Sequence, residues 1–139
     1  MEKVRLGKSE LMATRIGFGG IPIQRLSEED AISVVRRCLD YGINFIDTAP
    51  AYTTSEERIG KAISGRYEGL ILATKSNARQ ANLIRENLEL SLKRLRVESI
   101  DLYQFHGVND FVTYGQVLRL FDVLEEARSA GKIKHIGIS

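Results

Sequence analysis

A chain of 139 residues with 43% hydrophobic and 27% charged side chains has the composition of one ordinary globular domain, which argues against disorder. Its 20 Lys and Arg against 18 Asp and Glu leave a net charge of +2, too small to argue for nucleic acid or a membrane surface as a partner. Cys38 is the only cysteine, so neither an intrachain disulfide nor a metal-spaced thiol pair is available. No N-terminal apolar h-region and no bilayer-length apolar run is present, and the expected location is the cytoplasm.

Val4 to Leu6 and Met12 to Thr14 read as short extended segments flanking Gly7-Lys8-Ser9-Glu10, a small hairpin. Arg15 to Phe18 reads as a strand running into Gly19-Gly20, where missing side chains permit unusual dihedrals or close approach of a ligand. Ser27-Glu28-Glu29-Asp30 signals a helix start, and Ala31, Val34, Val35, Cys38 and Leu39 follow at helical spacing as far as Gly42. The basic pair Arg36-Arg37 in this helix, like Lys93-Arg94 later, reads as a solvated face. Ile43 to Asp47 is a strand whose only polar residue before its end is Asn44, and a strand that reads apolar on both faces belongs in a covered parallel sheet. Thr54-Ser55-Glu56-Glu57 then offers a second capping box before a short helix ended by Gly65.

Leu70 to Lys75 is a third apolar strand. A helix from about Ala81 to Leu95 follows, with Ile84, Leu88, Ser91, Leu92 and Leu95 on its inner face. Ile100 to His106 is a fourth strand, broken off at Gly107. Val117, Leu120, Phe121, Leu124 and Ala127 predict one helix over Tyr114 to Ala130 with Gly131 as its cap, and Ile133 to Ser139 predicts a fifth strand.

Four alternations of strand and helix ending on a strand are the pattern of parallel βαβ units. A doubly wound dinucleotide-binding sheet would want GxGxxG leading directly into a helix, whereas Gly17-Phe18-Gly19-Gly20 is followed by Ile21-Pro22-Ile23. The expected fold is therefore α/β, of the (β/α)8 TIM-barrel type, truncated to about five strands and four helices, with an N-terminal β-hairpin. A complete barrel takes eight strands and roughly 250 residues. The first and fifth strands would thus keep unpaired edges, so the chain is expected to be a fragment of a longer protein or to self-associate through those edges.

Three consecutive strands end in Asp47, Lys75 and His106, spaced by 28 and 31 residues, and Tyr52 lies just beyond the first. In a parallel barrel such ends converge on one face. Each residue alone has a structural reading: Asp47 bonding its own turn, Tyr52 packing over a helix start, Lys75 solvated, His106 hydrogen-bonded and partly buried. Together they make a coherent set. A phenol, with a pKa near ~10 in water, donates a proton near neutrality only if a cation stabilises the phenolate, and Lys75 supplies one. Asp47 would hold the ammonium and His106 would orient a carbonyl. The carbonyl must receive hydride from elsewhere, which implies a nicotinamide cofactor.

The motifs GFGG at 17–20, FIDTAPAY at 45–52, SEERIG at 55–60, LATK at 72–75, SLKRLRVESIDLYQFH at 91–106 and IGIS at 136–139 resemble the N-terminal part of the aldo-keto reductases. The resemblance covers essentially the whole chain, which reads as residues 1–139 of a single barrel domain. It implies Tyr52 as general acid, Lys75 as its activating cation, Asp47 as the lysine's partner and His106 as the carbonyl-orienting group. It further implies NADPH bound across the open face of the barrel, with Gly19, Gly20, Asp47 and Ser139 bordering it, and a small-molecule carbonyl substrate. GFGGIPIQ is also similar to bacterial members with a C-terminal iron–sulfur extension, although nothing in this chain could ligate a cluster. The expected activity is NADPH-dependent reduction of aldehydes or ketones, with the 139-residue chain alone weak or inactive. A non-catalytic regulatory module, as the family's potassium-channel beta subunits suggest, is the alternative, and a Schiff-base lyase using Lys75 is a third reading.

Overall fold

The computed structural model describes residues 1–139. Strands β1 (Lys3–Arg5) and β2 (Met12–Thr14) form an antiparallel hairpin. Five parallel strands follow: β3 (Phe18–Gly19), β4 (Phe45–Asp47), β5 (Ile71–Ser76), β6 (Ile100–Phe105) and β7 (Ile133–Ile138). Helices α1 (Glu28–Asp40), α2 (Ser55–Ile63) and α3 (Ala81–Leu95) make the first three crossovers, and α4 (Phe111–Leu118) with α5 (Phe121–Ser129) makes the last.

The spatial order of the parallel strands is their order in the chain. A doubly wound sheet reverses that order at a switch point, whereas an unreversed run is an arc of a singly wound barrel. Residues alternate across the arc accordingly. Ile46, Leu72, Tyr103 and Phe105 point out into a core shared with Val35, Ile59, Ile84, Leu88 and Leu124 of the helices. On the inner side, the hairpin region presses Leu11 and Ala13 against Ile71, with Leu6 and Phe45 beside them, and so closes the lower end of the arc.

Asn44 pins the hairpin in place. Its Oδ1 accepts from the Thr14 amide at 2.7 Å, its own amide donates to Thr14 Oγ1 at 3.2 Å, and its side-chain NH2 reaches the Met12 carbonyl at 3.0 Å. Because the Asn44 amide is spent on Thr14, regular strand geometry begins at Phe45 rather than at Ile43.

Several local expectations are corrected. The single helix expected over Tyr114 to Ala130 is two helices, making five in all, and the first begins earlier, at Phe111. Asp110 and Thr113 form a capping box that sets that start. The break lies at Arg119 and Leu120, where Leu120 N donates to Val117 O and Val123 N to Leu120 O. These three-residue bonds tighten and redirect the chain without Pro or Gly. Thr54 makes no side-chain cap at α2, and Ser55 and Glu56 turn inward instead, both fully buried. Val34, expected on the inner face of α1, is exposed, while Ala31 and Val35 form the buried stripe. Arg94 is half-buried against α2, 3.6 Å from Glu56 and 3.5 Å from Glu57, rather than solvated like Lys93. No helix is long and apolar enough to cross a membrane.

Candidate active site

The carboxyl ends of β4, β5 and β6 meet at one rim. Asp47 ends β4, and Thr48 continues the ladder by donating its amide to the Ala73 carbonyl at 2.8 Å. Pro50–Tyr52 then makes one tight turn, with Tyr52 N donating to Ala49 O at 3.0 Å, and this folds the phenol back over the strand ends. Thr53 takes a φ of +49°, an uncommon conformation for a branched residue that marks the price of so abrupt a return.

Lys75 lies on the inward-facing side of β5 and is 5% exposed, so its ammonium must find its partners within the protein. It does so completely. Nζ donates to Asp47 Oδ2 at 2.5 Å and to the Thr48 carbonyl at 2.8 Å, and its third neighbour is the Tyr52 hydroxyl at 3.5 Å. Three N–H bonds thus face three oxygens, which fixes the cation without a free rotamer. The same Nζ stands 5.0 Å from the centre of the Tyr52 ring.

His106 follows β6 directly, its amide donating to the Ser76 carbonyl at 2.8 Å. Its ring meets that of Tyr52 edge to face, with centres 5.9 Å apart and planes at 88°. Burial pushes the imidazole below its ordinary value; the Lys75 charge and, more weakly, Arg79 push the same way, and Asp47 opposes them. Near neutral pH the ring is therefore uncharged and offers one N–H donor and one acceptor.

Asp47, Tyr52, Lys75 and His106 are thus brought together as the strand-end pattern predicted. Gln104 was missed. It lies opposite Lys75 in register and extends Nε2 toward Asp47 Oδ1 at 3.4 Å, so both carboxylate oxygens have a donor. The signal was available: Gln104 is a polar residue two positions before His106, hence on the same face of a strand.

The glycines divide. Gly19 lies opposite Asp47 in register, and no atom comes within 4 Å of where its Cβ would stand, so the rim beside Asp47 is open. Gly20 is buried, and a Cβ there would be 2.4 Å from Ser55 Oγ and 3.0 Å from Thr48 Oγ1; close packing alone accounts for that glycine. Ser139 comes to the same rim beyond β7, its amide donating to Phe105 O at 2.9 Å and its carbonyl accepting from Val108 N at 2.8 Å.

The sequence profile of the Aldo/keto reductase family matches residues 15–139. The chain belongs to that family. Aldo-keto reductase YhdN of Bacillus subtilis is 39% identical, over 100% of this chain and 47% of its own length. L-galactose dehydrogenase of Arabidopsis thaliana is 30% identical, over 96% of this chain and 47% of its own. Among solved structures, the holo form of an aldo-keto reductase from Bacillus halodurans superposes with a TM-score of 0.88 at 32% identity, covering 100% of this chain and 50% of that one. The chain spans about half the length of these aldo-keto reductase relatives.

Proposed function

We propose that this chain carries the proton-donating half of an NADPH-dependent carbonyl reduction, in which an aldehyde or ketone becomes an alcohol. The observation that carries the reading is the ammonium of Lys75, locked by Asp47 and the Thr48 carbonyl and set 3.5 Å from the Tyr52 hydroxyl. A phenol gives up its proton more readily where a fixed cation awaits the phenolate, because the charge that develops needs no solvent to reorganise around it.

Tyr52 donates its proton to the substrate oxygen, and Lys75 stabilises the phenolate left behind. His106, uncharged, lends its N–H to the same oxygen and orients the carbonyl. Asp47 and Gln104 hold Lys75 in position. The rim fits a flat cofactor ring, since Gly19 leaves the space beside Asp47 open; Gly19, Asp47 and Ser139 would border it, while Gly20 would act through the packing behind Asp47. The nicotinamide would supply the hydride. Kinship with reductases and dehydrogenases supports this reading, and the 139-residue polypeptide alone is expected to hold NADPH weakly.

Carbonyl-dependent oxidation of NADPH, followed by absorbance for the wild type and Tyr52→Phe in the longest natural form of the protein, tests the assignment. Loss of turnover in Tyr52→Phe, with NADPH binding kept in a fluorescence titration, is the expected result. Equal turnover by the two proteins would remove Tyr52 from the reaction. Micromolar NADPH binding with ready turnover by residues 1–139 would overturn the weak-binding expectation.

A further inference from the structure

Arg79 lies in the loop after β5, half-buried, and directs its guanidinium at the end of β6. Nη2 donates to the His106 carbonyl at 2.7 Å and to the Gly107 carbonyl at 3.3 Å, while Nη1 donates to the carbonyl of Ala78 at 3.1 Å. Gly107 has a φ of +72°, so these two carbonyls flank the sharp turn on which the imidazole is mounted. None of the chain's ion pairs includes Arg79. A half-buried guanidinium bonded only to neutral oxygens has no counter-charge beside the site, and its planar fork ties the two turn carbonyls, both held by Nη2, to the Ala78 carbonyl held by Nη1, a fixed geometry that a single ammonium centre does not impose.

We propose that Arg79 is a positioning residue for His106, clamping the turn that carries the imidazole and holding a positive charge against it. The proposal rests on the reading that His106 orients a substrate carbonyl, but the arrangement itself is measurable without turnover. The charged and titratable groups facing His106 are Lys75 from β5, Asp47 from β4, Tyr52 from the turn after β4, and Arg79 from the loop after β5. Lys75 and Arg79 oppose an imidazolium and Asp47 favours one. Removing Arg79 leaves Asp47 opposed by Lys75 alone, and it frees the His106 and Gly107 carbonyls at the same time.

The chain has two histidines, His106 and His135, so both imidazoles can be followed individually by NMR through a pH titration of the intact chain. In Arg79→Met the His106 midpoint is expected to move upward, its ring contacts with Tyr52 to weaken, and His135 to stay in place. Arg79→Lys restores the charge without the fork, and should return the midpoint toward the wild type while leaving the ring contacts weakened. An unmoved His106 midpoint in Arg79→Met, or an equal shift of both histidines, overturns the proposal. Should Arg79→Met not fold, Arg79→Gln gives the same two readings. A wild type that reduces no carbonyl compound would sink the functional reading and leave this titration to decide the role of Arg79 separately.

Discussion

Gly60 of α2 lies so close to Arg94 of α3 that a Cβ on Gly60 would stand 2.2 Å from the Arg94 carbonyl oxygen and 2.8 Å from the Leu95 carbonyl carbon. Both obstacles are backbone, which cannot rotate aside as a side chain would. Gly60→Ala must therefore push the two helices apart, although alanine is the better helix former. A loss of about 3 kcal/mol or more is expected from the overpacking, measured by urea denaturation. A stability equal to that of the wild type would mean the helices are not in this contact.

Asn44→Ala should loosen the hairpin without disturbing the parallel sheet. It removes the acceptor for the Thr14 amide, in a buried setting, and the donor for the Met12 carbonyl, in a partly buried one. The expected cost is about 2–4 kcal/mol. Hydrogen exchange should quicken first at Met12 to Thr14, and slow exchange persisting there would show that the apolar contact of Leu11 and Ala13 with Ile71 is anchor enough.

Glu56 gives the fold a pH dependence of its own. Its side chain is fully buried, and burial pushes the carboxyl above its ordinary value of 4.5, more than the hydrogen bond from Thr74 and the Arg94 charge pull it down. A raised folded-state pKa contributes stability that is fully present below 4.5 and is lost as pH rises through the folded value. Glu56→Gln should remove that loss, so its melting temperature relative to the wild type rises from pH 4 toward neutrality. A difference that stays constant with pH would show that Glu56 ionises as freely as in the unfolded chain.

Lys75→Met leaves the Asp47 carboxylate without its cation, and a stranded charge costs more than a missing pair. Asp47 is 30% exposed, so water recovers part of the loss, and about 1–3 kcal/mol is expected. The double variant Asp47→Asn, Lys75→Met should be more stable than Lys75→Met alone. A loss in the double variant equal to the sum of those in Lys75→Met and Asp47→Asn alone would mean that the ion pair contributes no coupling.

Asp47, Lys75 and His106 were legible because the signal is positional: each falls where an apolar run stops, parallel topology brings such stops together, and Tyr52 lies in the loop just after the first of them. Gln104 escaped because a polar residue inside a strand looks like an interruption until the neighbouring strand ends are known to carry charge. The break at Arg119 was invisible for a related reason. Val117, Leu120, Phe121 and Leu124 keep helical spacing through it, and only three-residue hydrogen bonds, without Pro or Gly, mark the bend. At Thr54 the sequence carried a genuine capping pattern, and burial of Ser55 and Glu56 for tertiary bonds overrode it.

Ser55 donates to the Gly20 carbonyl at 2.9 Å and accepts from Thr48 Oγ1 at 2.9 Å, while Gly20 N donates to the Asp47 carbonyl at 2.8 Å. Three segments separated in the chain are thereby sewn together immediately behind Asp47. The ordering entropy of that corner is consequently settled when the chain folds, which leaves Asp47, Lys75 and Tyr52 in fixed register at the rim.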